Sequence, residues 1–393
     1  MTPAARVQAA IELLDAIIVA ARESGAAADT LIARWFKVRR YAGSKDRRAI
    51  RELVFRAVRR AGERPVSGRA AMLGLAREDQ ELPPLFDGST HGPMPVVEGE
   101  AVAEGGVAPA WLLERFDPLV DAGAQAALLG RAPLDLRVNR LRGNREAAEA
   151  ALPEAVPTPH SPIGLRMPEG FKVEQTEAWD AGLIEVQDEG SQLICFASAA
   201  KPDMLAVDLC AGAGGKTLAL AAEMGGQGRL VACDTDRGRL ARIPARLERA
   251  GITIVETRLL DPGKEPEALA DLAGQADLVL VDAPCSGTGT WRRNPETRWR
   301  VTPERLARLV KLQASLLDIG AELVRPGGFL VYAVCSLLAE EGRNQAEALA
   351  GRSSLVPAPL SIAAGRPAGS GTLLSPDRDG TDGFFVARWQ RPC

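Results

Sequence analysis

Two of the six cysteines in this 393-residue chain stand where a thiol could do chemistry. Cys285 follows Asp282 and Pro284 in DLVLVDAPCSGTGT, and Cys335 closes GGFLVYAVCS. Each apolar run is the length of a buried strand, so both thiols and the carboxylate fall at or just beyond strand carboxyl ends. A thiolate is a strong nucleophile, and a carboxylate beside it can hold or share a proton with a substrate ring. Together they suit covalent addition to an electron-poor ring, with a second thiol available for the release step. The residue types do not rank the two thiols. A buried inert cysteine is the common alternative for either one alone, and the shared location with Asp282 argues against it. No C-x-x-C pair occurs and the only histidines are His91 and His160, so neither a disulfide framework nor a metal site is expected.

A second constellation lies upstream in VDLCAGAGGKT. Gly212, Gly214 and Gly215 let the backbone turn tightly against a ligand, and a helix expected to start near Thr217 offers free amides. Asp234 closes the following strand about 20 residues on, where an acid accepts hydrogen bonds from a ribose diol. The ligand is thus expected to carry adenosine. The G-x-x-x-x-G-K-[ST] spacing of a phosphate-cradling loop is not met, despite Lys216-Thr217.

These residues need a scaffold that brings strand ends together. From about Trp179, short apolar strands alternate with helices: Leu205–Leu209, Leu230–Cys233, Thr253–Thr257, Asp277–Val281, Gly328–Val334 and Phe384–Trp389. Such alternation implies an α/β fold with a parallel sheet covered on both faces and ligands at the strands' carboxyl ends. Cys210, Asp234, Asp261, Asp282 and Cys335 are therefore expected to converge. Upstream, LDLRVNRL (Leu134–Leu141) alternates like a strand and precedes a short helix from Asn144 to Ala151, a small α/β module. The start of the chain has helical spacing (Ile11, Leu14, Ile18; Ile50, Leu53, Val54, Ala57), with turns expected at Ser24-Gly25 and Gly43-Ser44. Three domains result: helical 1–130 with a Pro/Gly-rich linker near 81–109, the module 131–178, and the catalytic domain 179–393.

Hydrophobic residues make up 46% and charged residues 25%, the composition of a soluble folded protein. The apolar run Val7–Ala21 is broken by Glu12 and Asp15, and no signal peptide is legible, so the expected location is the cytoplasm with no membrane partner. The net charge of −3 conceals thirteen Lys and Arg between Arg34 and Arg69, against Asp46, Glu52 and Glu63, a patch suited to phosphates. WRRNPETRWR (Trp291–Arg300) interleaves basic and aromatic residues. Its arginines are expected to hold phosphates while a tryptophan stacks on an unpaired base; the alternative is an exposed turn before a helix beginning near Thr302.

In sequence the chain resembles the RsmB/Sun-type RNA cytosine-C5 methyltransferases over nearly its whole length. VQDEGSQL (Val186–Leu193), DLCAGAGGKT, VDAPCSGTG, RRNPETRW, YAVCS followed by EEGRNQ, and DGFFVARW carry the likeness. The resemblance implies a Rossmann-like class I sheet of seven strands and S-adenosyl-L-methionine as cofactor. It ranks the thiols: nucleophile at Cys335, product release at Cys285. Asp282 by its own chemistry suits orientation of the base and support of its ring nitrogen 3, provided that carboxyl carries a shared proton. Cofactor contacts fall on Cys210, Ala211, Gly212, Ala213, Gly214, Gly215, Lys216, Asp234, Asp261 and Asp282. YAGSKDRRAIRELVFRAVRR looks like a NusB-like RNA-binding domain, and the implied partner is RNA, namely small-subunit (16S) rRNA, met by a monomer without metal. Val334 stands where the family usually has Thr, and Ala213 where many members have Pro; the helical start is also short, which leaves room for a different target. Three other readings stay open: another RNA such as tRNA, Cys285 as nucleophile in the manner of DNA cytosine methyltransferases, and a non-catalytic RNA-binding ribosome-assembly factor.

Overall fold

The computed structural model describes every residue of the chain except Ser24, so that half of the expected Ser24-Gly25 turn lies outside the described residues. The chain forms two compact units, each drawn from separate stretches of sequence.

The first unit comprises Met1–Phe116, Val120–Arg131 and Ser286–Arg305. Its helices are α1 (Pro3–Arg22), α2 (Ala28–Val38), α3 (Ser44–Arg60) and α4 (Gly68–Ala76). Thr2 caps α1, its hydroxyl accepting from the Ala5 amide, and Leu13, Leu14, Ile17, Ile32, Ile50 and Met72 fill the core. At the start of α4, a Cβ on Gly68 would lie 2.2 Å from the Ile11 carbonyl oxygen, so only glycine allows α4 to meet α1. Residues 81–109 are irregular, as their Pro/Gly content implies, but they are no free linker: Phe86 is buried, and Arg69 holds Glu100 and the Met94 and Pro95 carbonyls.

The segment Ser286–Arg305 corrects two expectations. It belongs to this helical unit rather than to the residues on either side of it in sequence, and its tryptophans are not free to stack on a base. Trp291 and Arg298 are fully buried and Trp299 is nearly so. Trp291 meets the Phe116 ring edge-on at 5.9 Å, Trp299 Nε1 donates to the Ala61 carbonyl at 3.1 Å, and Arg298 donates to the Val58, Arg59 and Val107 carbonyls. Glu296 accepts from the Ala28 amide at 3.0 Å, capping α2 where Ala27 has no side-chain oxygen to do so. Arg298 and Arg300 thus spend donors on backbone oxygens, which are costly to leave without partners when buried.

The second unit comprises Asp117–Leu119, Ala132–Cys285 and Leu306–Cys393. Its small antiparallel sheet has the order β2-β3-β1-β4, from β1 (Leu134–Val138), β2 (Val156–Pro157), β3 (Gly164–Met167) and β4 (Ile184–Val186). Because β4 pairs with β1, this module runs past residue 178. The large sheet contains β5 (Leu205–Asp208), β6 (Arg229–Asp234), β7 (Val255–Leu259), β8 (Ala276–Asp282), β9 (Val324–Val334), β10 (Val356–Pro357), β11 (Arg366–Ala368), β12 (Gly371–Leu374) and β13 (Phe384–Gln390). Its order is β11-β12-β13-β9-β8-β5-β6-β7, with β10 beside β13. The strands from β9 to β7 in that order are parallel, and β13 and β12 join antiparallel. The expected seven strands are all present, extended by the short β10 and β11. Strand order reverses on either side of β5, which opens a crevice at its carboxyl end.

Candidate active site

The glycine loop, Asp234, Asp282, Cys285 and Cys335 lie at or follow the carboxyl ends of β5, β6, β8 and β9. The turn after β5 leads into a helix over Gly215–Glu223, starting slightly earlier than Thr217. Gly212 and Gly214 adopt left-handed φ of 57° and 86°. A Cβ on Gly212 would press on the Arg239 guanidinium, whereas the Cβ position of Gly215 opens on free space. Asp234, at the end of β6, accepts from the Gly212 amide and the Asp236 amide, each at 2.7 Å. Two of its lone-pair directions stay available to a diol.

The loop is also held from the small module. Gln187 donates to the Gly215 carbonyl at 3.4 Å, and its own oxygen accepts from Arg137 at 2.6 Å. Arg246 reaches the Ala213 carbonyl while pairing with Glu185, which Arg249 also engages. In the same VQDEGSQL run, Glu189 accepts from the His160 and Ser161 amides. That run, noticed only as part of a likeness, joins the two sheets of the unit and seats the loop.

Beneath the loop lies Asp208, fully buried. Its Oδ2 accepts from Thr217 at 2.7 Å, and its Oδ1 has no hydrogen-bond partner. Burial pushes its pKa up to about 7. Lys216 donates to Asp282 Oδ2 at 2.7 Å. Burial disfavours the ammonium, but Asp282, with Cys195 and Cys335 adding to it, outweighs burial and keeps the lysine pKa above its ordinary range.

Beyond that pair, Cys285 Sγ and Cys335 Sγ lie 3.4 Å apart, both only partly buried. The other cysteines of this unit are differently placed. Burial raises the Cys195 and Cys233 thiols to about 12, and burial with the carboxylates of Asp208, Asp282 and Asp234 raises Cys210 well above normal. Cys393 is exposed at the last position. Asp261 is not drawn into the hydrogen-bonded set: it is exposed, and its carbonyl accepts from the Lys264 amide. Sequence reasoning missed Lys216 as the partner of Asp282, and Asp208, Arg239, Gln313 and Glu341 altogether. The two residues of the ion pair stand 66 positions apart, and no local spacing links them.

Among the described residues, no group of three or more His, Cys, Asp or Glu could hold a metal ion, and no helix is long and apolar enough to cross a membrane.

A parallel sheet with its switch point at β5, a glycine loop after β5 and an acid ending β6 define a Rossmann-like fold of the class I S-adenosylmethionine-dependent methyltransferases. The chain belongs to the 16S rRNA methyltransferase RsmB/F family, whose model matches residues 196–390. Ribosomal RNA small subunit methyltransferase B of Klebsiella pneumoniae is 35% identical over 292 residues, covering 71% of this chain and 65% of the relative. The protein of that name from Xylella fastidiosa (strain Temecula1) is 36% identical over 305 residues, covering 75% and 68%. The crystal structure of PH0851 matches in fold with a TM-score of 0.76 at 24% identity, over 99% of both chains. The chain spans 55–65% of the length of the first curated relatives it matches.

Proposed function

We propose that this chain methylates carbon 5 of a cytosine in small-subunit rRNA through a covalent adduct at Cys335. S-adenosyl-L-methionine supplies an electrophilic methyl group on a sulfonium. The glycine loop with Asp234 suits its adenosine, and the open space at Gly215 leaves room for the rest.

The observation that carries the reading is the pair of thiols at 3.4 Å on adjacent strand ends, beside an ammonium-carboxylate pair. The Cys335 thiolate adds to carbon 6 of the ring, and the ring electrons move toward nitrogen 3. Asp282 accepts from the exocyclic amine and orients the base. The proton supporting nitrogen 3 comes from the Lys216–Asp282 pair, where the lysine holds it, in place of a protonated Asp282. Carbon 5, now enamine-like, would take the methyl group of a bound sulfonium, whose sulfur leaves as the neutral thioether. Cys285 as thiolate then removes the carbon-5 proton, the carbon-sulfur bond breaks with Cys335 leaving as thiolate, and nitrogen 3 returns its proton to Lys216 as the ring regains its aromaticity. RNA is the fitting partner for the exposed cations of the helical unit.

The test uses cytosine-containing rRNA fragments and labelled cofactor with Cys335→Ala and Cys285→Ala. Cys335→Ala abolishes both methylation and the denaturation-resistant adduct, while Cys285→Ala accumulates the adduct. An adduct in Cys335→Ala that is absent from Cys285→Ala reverses the roles and overturns the assignment.

A further inference from the structure

The hydrogen-bond ladder between β8 and β9 stops short of the two thiols. Its last register pair is Asp282 with Ala333, and the Ala283 amide donates to the Ala333 carbonyl at 2.9 Å. Cys285 and Cys335 lie past that point, where a side-chain bridge takes over. Ser336, next to Cys335, donates from its hydroxyl to Glu341 Oε2 at 2.6 Å. Gln313, on the helix over Pro303–Leu323, donates from Nε2 to Glu341 Oε1 at 3.0 Å and to the Pro284 carbonyl, next to Cys285, at 2.9 Å. Tyr332 fixes the far side, donating to the Glu341 carbonyl at 2.6 Å.

Ser336, Gln313 and Glu341 are fully buried. A buried carboxylate is costly unless both oxygens find donors; here one donor is Ser336, next to Cys335, and the other is Gln313, which also holds the Pro284 carbonyl next to Cys285. Core packing alone would be served as well by an apolar residue of similar volume.

We propose that Glu341 and Gln313 are positioning residues that set the spacing of the Cys285 and Cys335 thiols for the release step. The inference rests on the proposed thiol chemistry. Carbons 5 and 6 of the ring are bonded neighbours, so a base acting on one while the nucleophile sits on the other must be held beside that nucleophile. If the bridge opens, Cys335 can still add, but Cys285 no longer meets the carbon-5 proton, and the adduct persists.

The experiment has two readouts on the full chain. The first is the rate at which diamide, a two-electron thiol oxidant that takes up both thiol protons, joins Cys285 to Cys335, followed by mass spectrometry; it needs neither RNA nor cofactor. The second is turnover and adduct level with cytosine RNA. Gln313→Glu keeps the shape but removes both donors. It is expected to slow disulfide formation about tenfold, to lower kcat about tenfold with KM for RNA nearly unchanged, and to raise the adduct fraction. Glu341→Gln, which still accepts from Ser336 but faces Gln313 with an amide, is expected to fall between this variant and the parent. Should Gln313→Glu fail to fold, Glu341→Gln decides. Parent-like disulfide rates in a folded variant overturn the proposal. Slowed disulfide formation with no adduct in any protein, parent included, leaves the spacing role standing and sinks the thiol chemistry instead.

Discussion

Lys216 Nζ sits 2.7 Å from Asp282 Oδ2, with the lysine side chain 11% and the aspartate side chain 30% exposed. The pair places a charged donor next to a carboxylate that still faces solvent, and in the proposed reaction the base meets both. General acid assistance of this kind contributes about 10²–10⁴-fold to a rate. Lys216→Met, which keeps the chain length and loses the charge, should therefore lower single-turnover methyl transfer about a hundredfold. Cofactor affinity, read by calorimetry, should move much less, because the loop backbone is held by Asp234, Gln187 and Arg246. A loss confined to cofactor affinity would place Lys216 in binding alone.

Asp208 gives the fold a pH signature. Its pKa rises from 3.8 to about 7 because burial disfavours the charged form. The folded chain therefore binds this proton where the unfolded chain has released it, and stability falls as pH rises. The contribution is fully present below about pH 4 and is lost as pH climbs through about 7. Asp208→Asn keeps an acceptor for Thr217 and removes the titration. Its melting temperature should gain on the parent between pH 5 and 8, by several degrees for a stability change of the order of 1–2 kcal/mol. Parallel curves for the two proteins across that range would refute the assignment.

The parts of this fold that follow local rules were legible. Buried strands such as Asp277–Val281 and Gly328–Val334 are short apolar runs, and β8 and β9 contain them with ends extended. β12 went unseen because Gly-Thr-Leu-Leu carries no period and forms only through pairing with β13. The glycine loop, Asp234 and the two thiols were placed by strand ends alone. What remained hidden depends on contacts distant in sequence. Trp291 and Trp299 had the composition of a base-stacking surface, but burial is decided by which unit a segment joins, and Ser286–Arg305 joins the helical one. Likewise, Glu341 reads as one acid in a polar EEGRNQ run until Gln313 and Ser336 close on it.

Arg298 should be a stability residue. Its guanidinium is fully buried, burial lowers its pKa to about 10 with the Arg59 charge contributing, and its donors satisfy the carbonyls of Val58, Arg59 and Val107. Arg298→Met leaves those carbonyls without that donor and is expected to cost about 3 kcal/mol, whereas Trp299→Phe loses a single donor to Ala61 and should cost about 1 kcal/mol. Urea unfolding of the full chain measures both. An Arg298→Met variant as stable as the parent, with weakened RNA binding, would return this arginine to the phosphate role first read from its sequence.

The basic stretch divides in the same way, and the division can be read from salt dependence. Arg39 pairs with Glu12, Arg51 with Asp29, Arg56 with Asp79, Arg60 with Glu78 and Arg69 with Glu100. Arg34, Lys37, Arg40, Lys45 and Arg48 are exposed, with no ion pair among the described residues, around an exposed Tyr41. Only the second group has charge free to displace counterions from a phosphate backbone. Each phosphate contact contributes about 0.7–0.9 to the slope of log affinity against log salt. Replacing Lys37, Arg40 and Lys45 with alanine should then weaken RNA binding and reduce that slope by about 2–3, measured by fluorescence anisotropy across a salt series. Arg56→Ala, which only frees Asp79, should leave the slope unchanged. Equal slopes for the triple variant and the parent would move the RNA contact to another face of the protein.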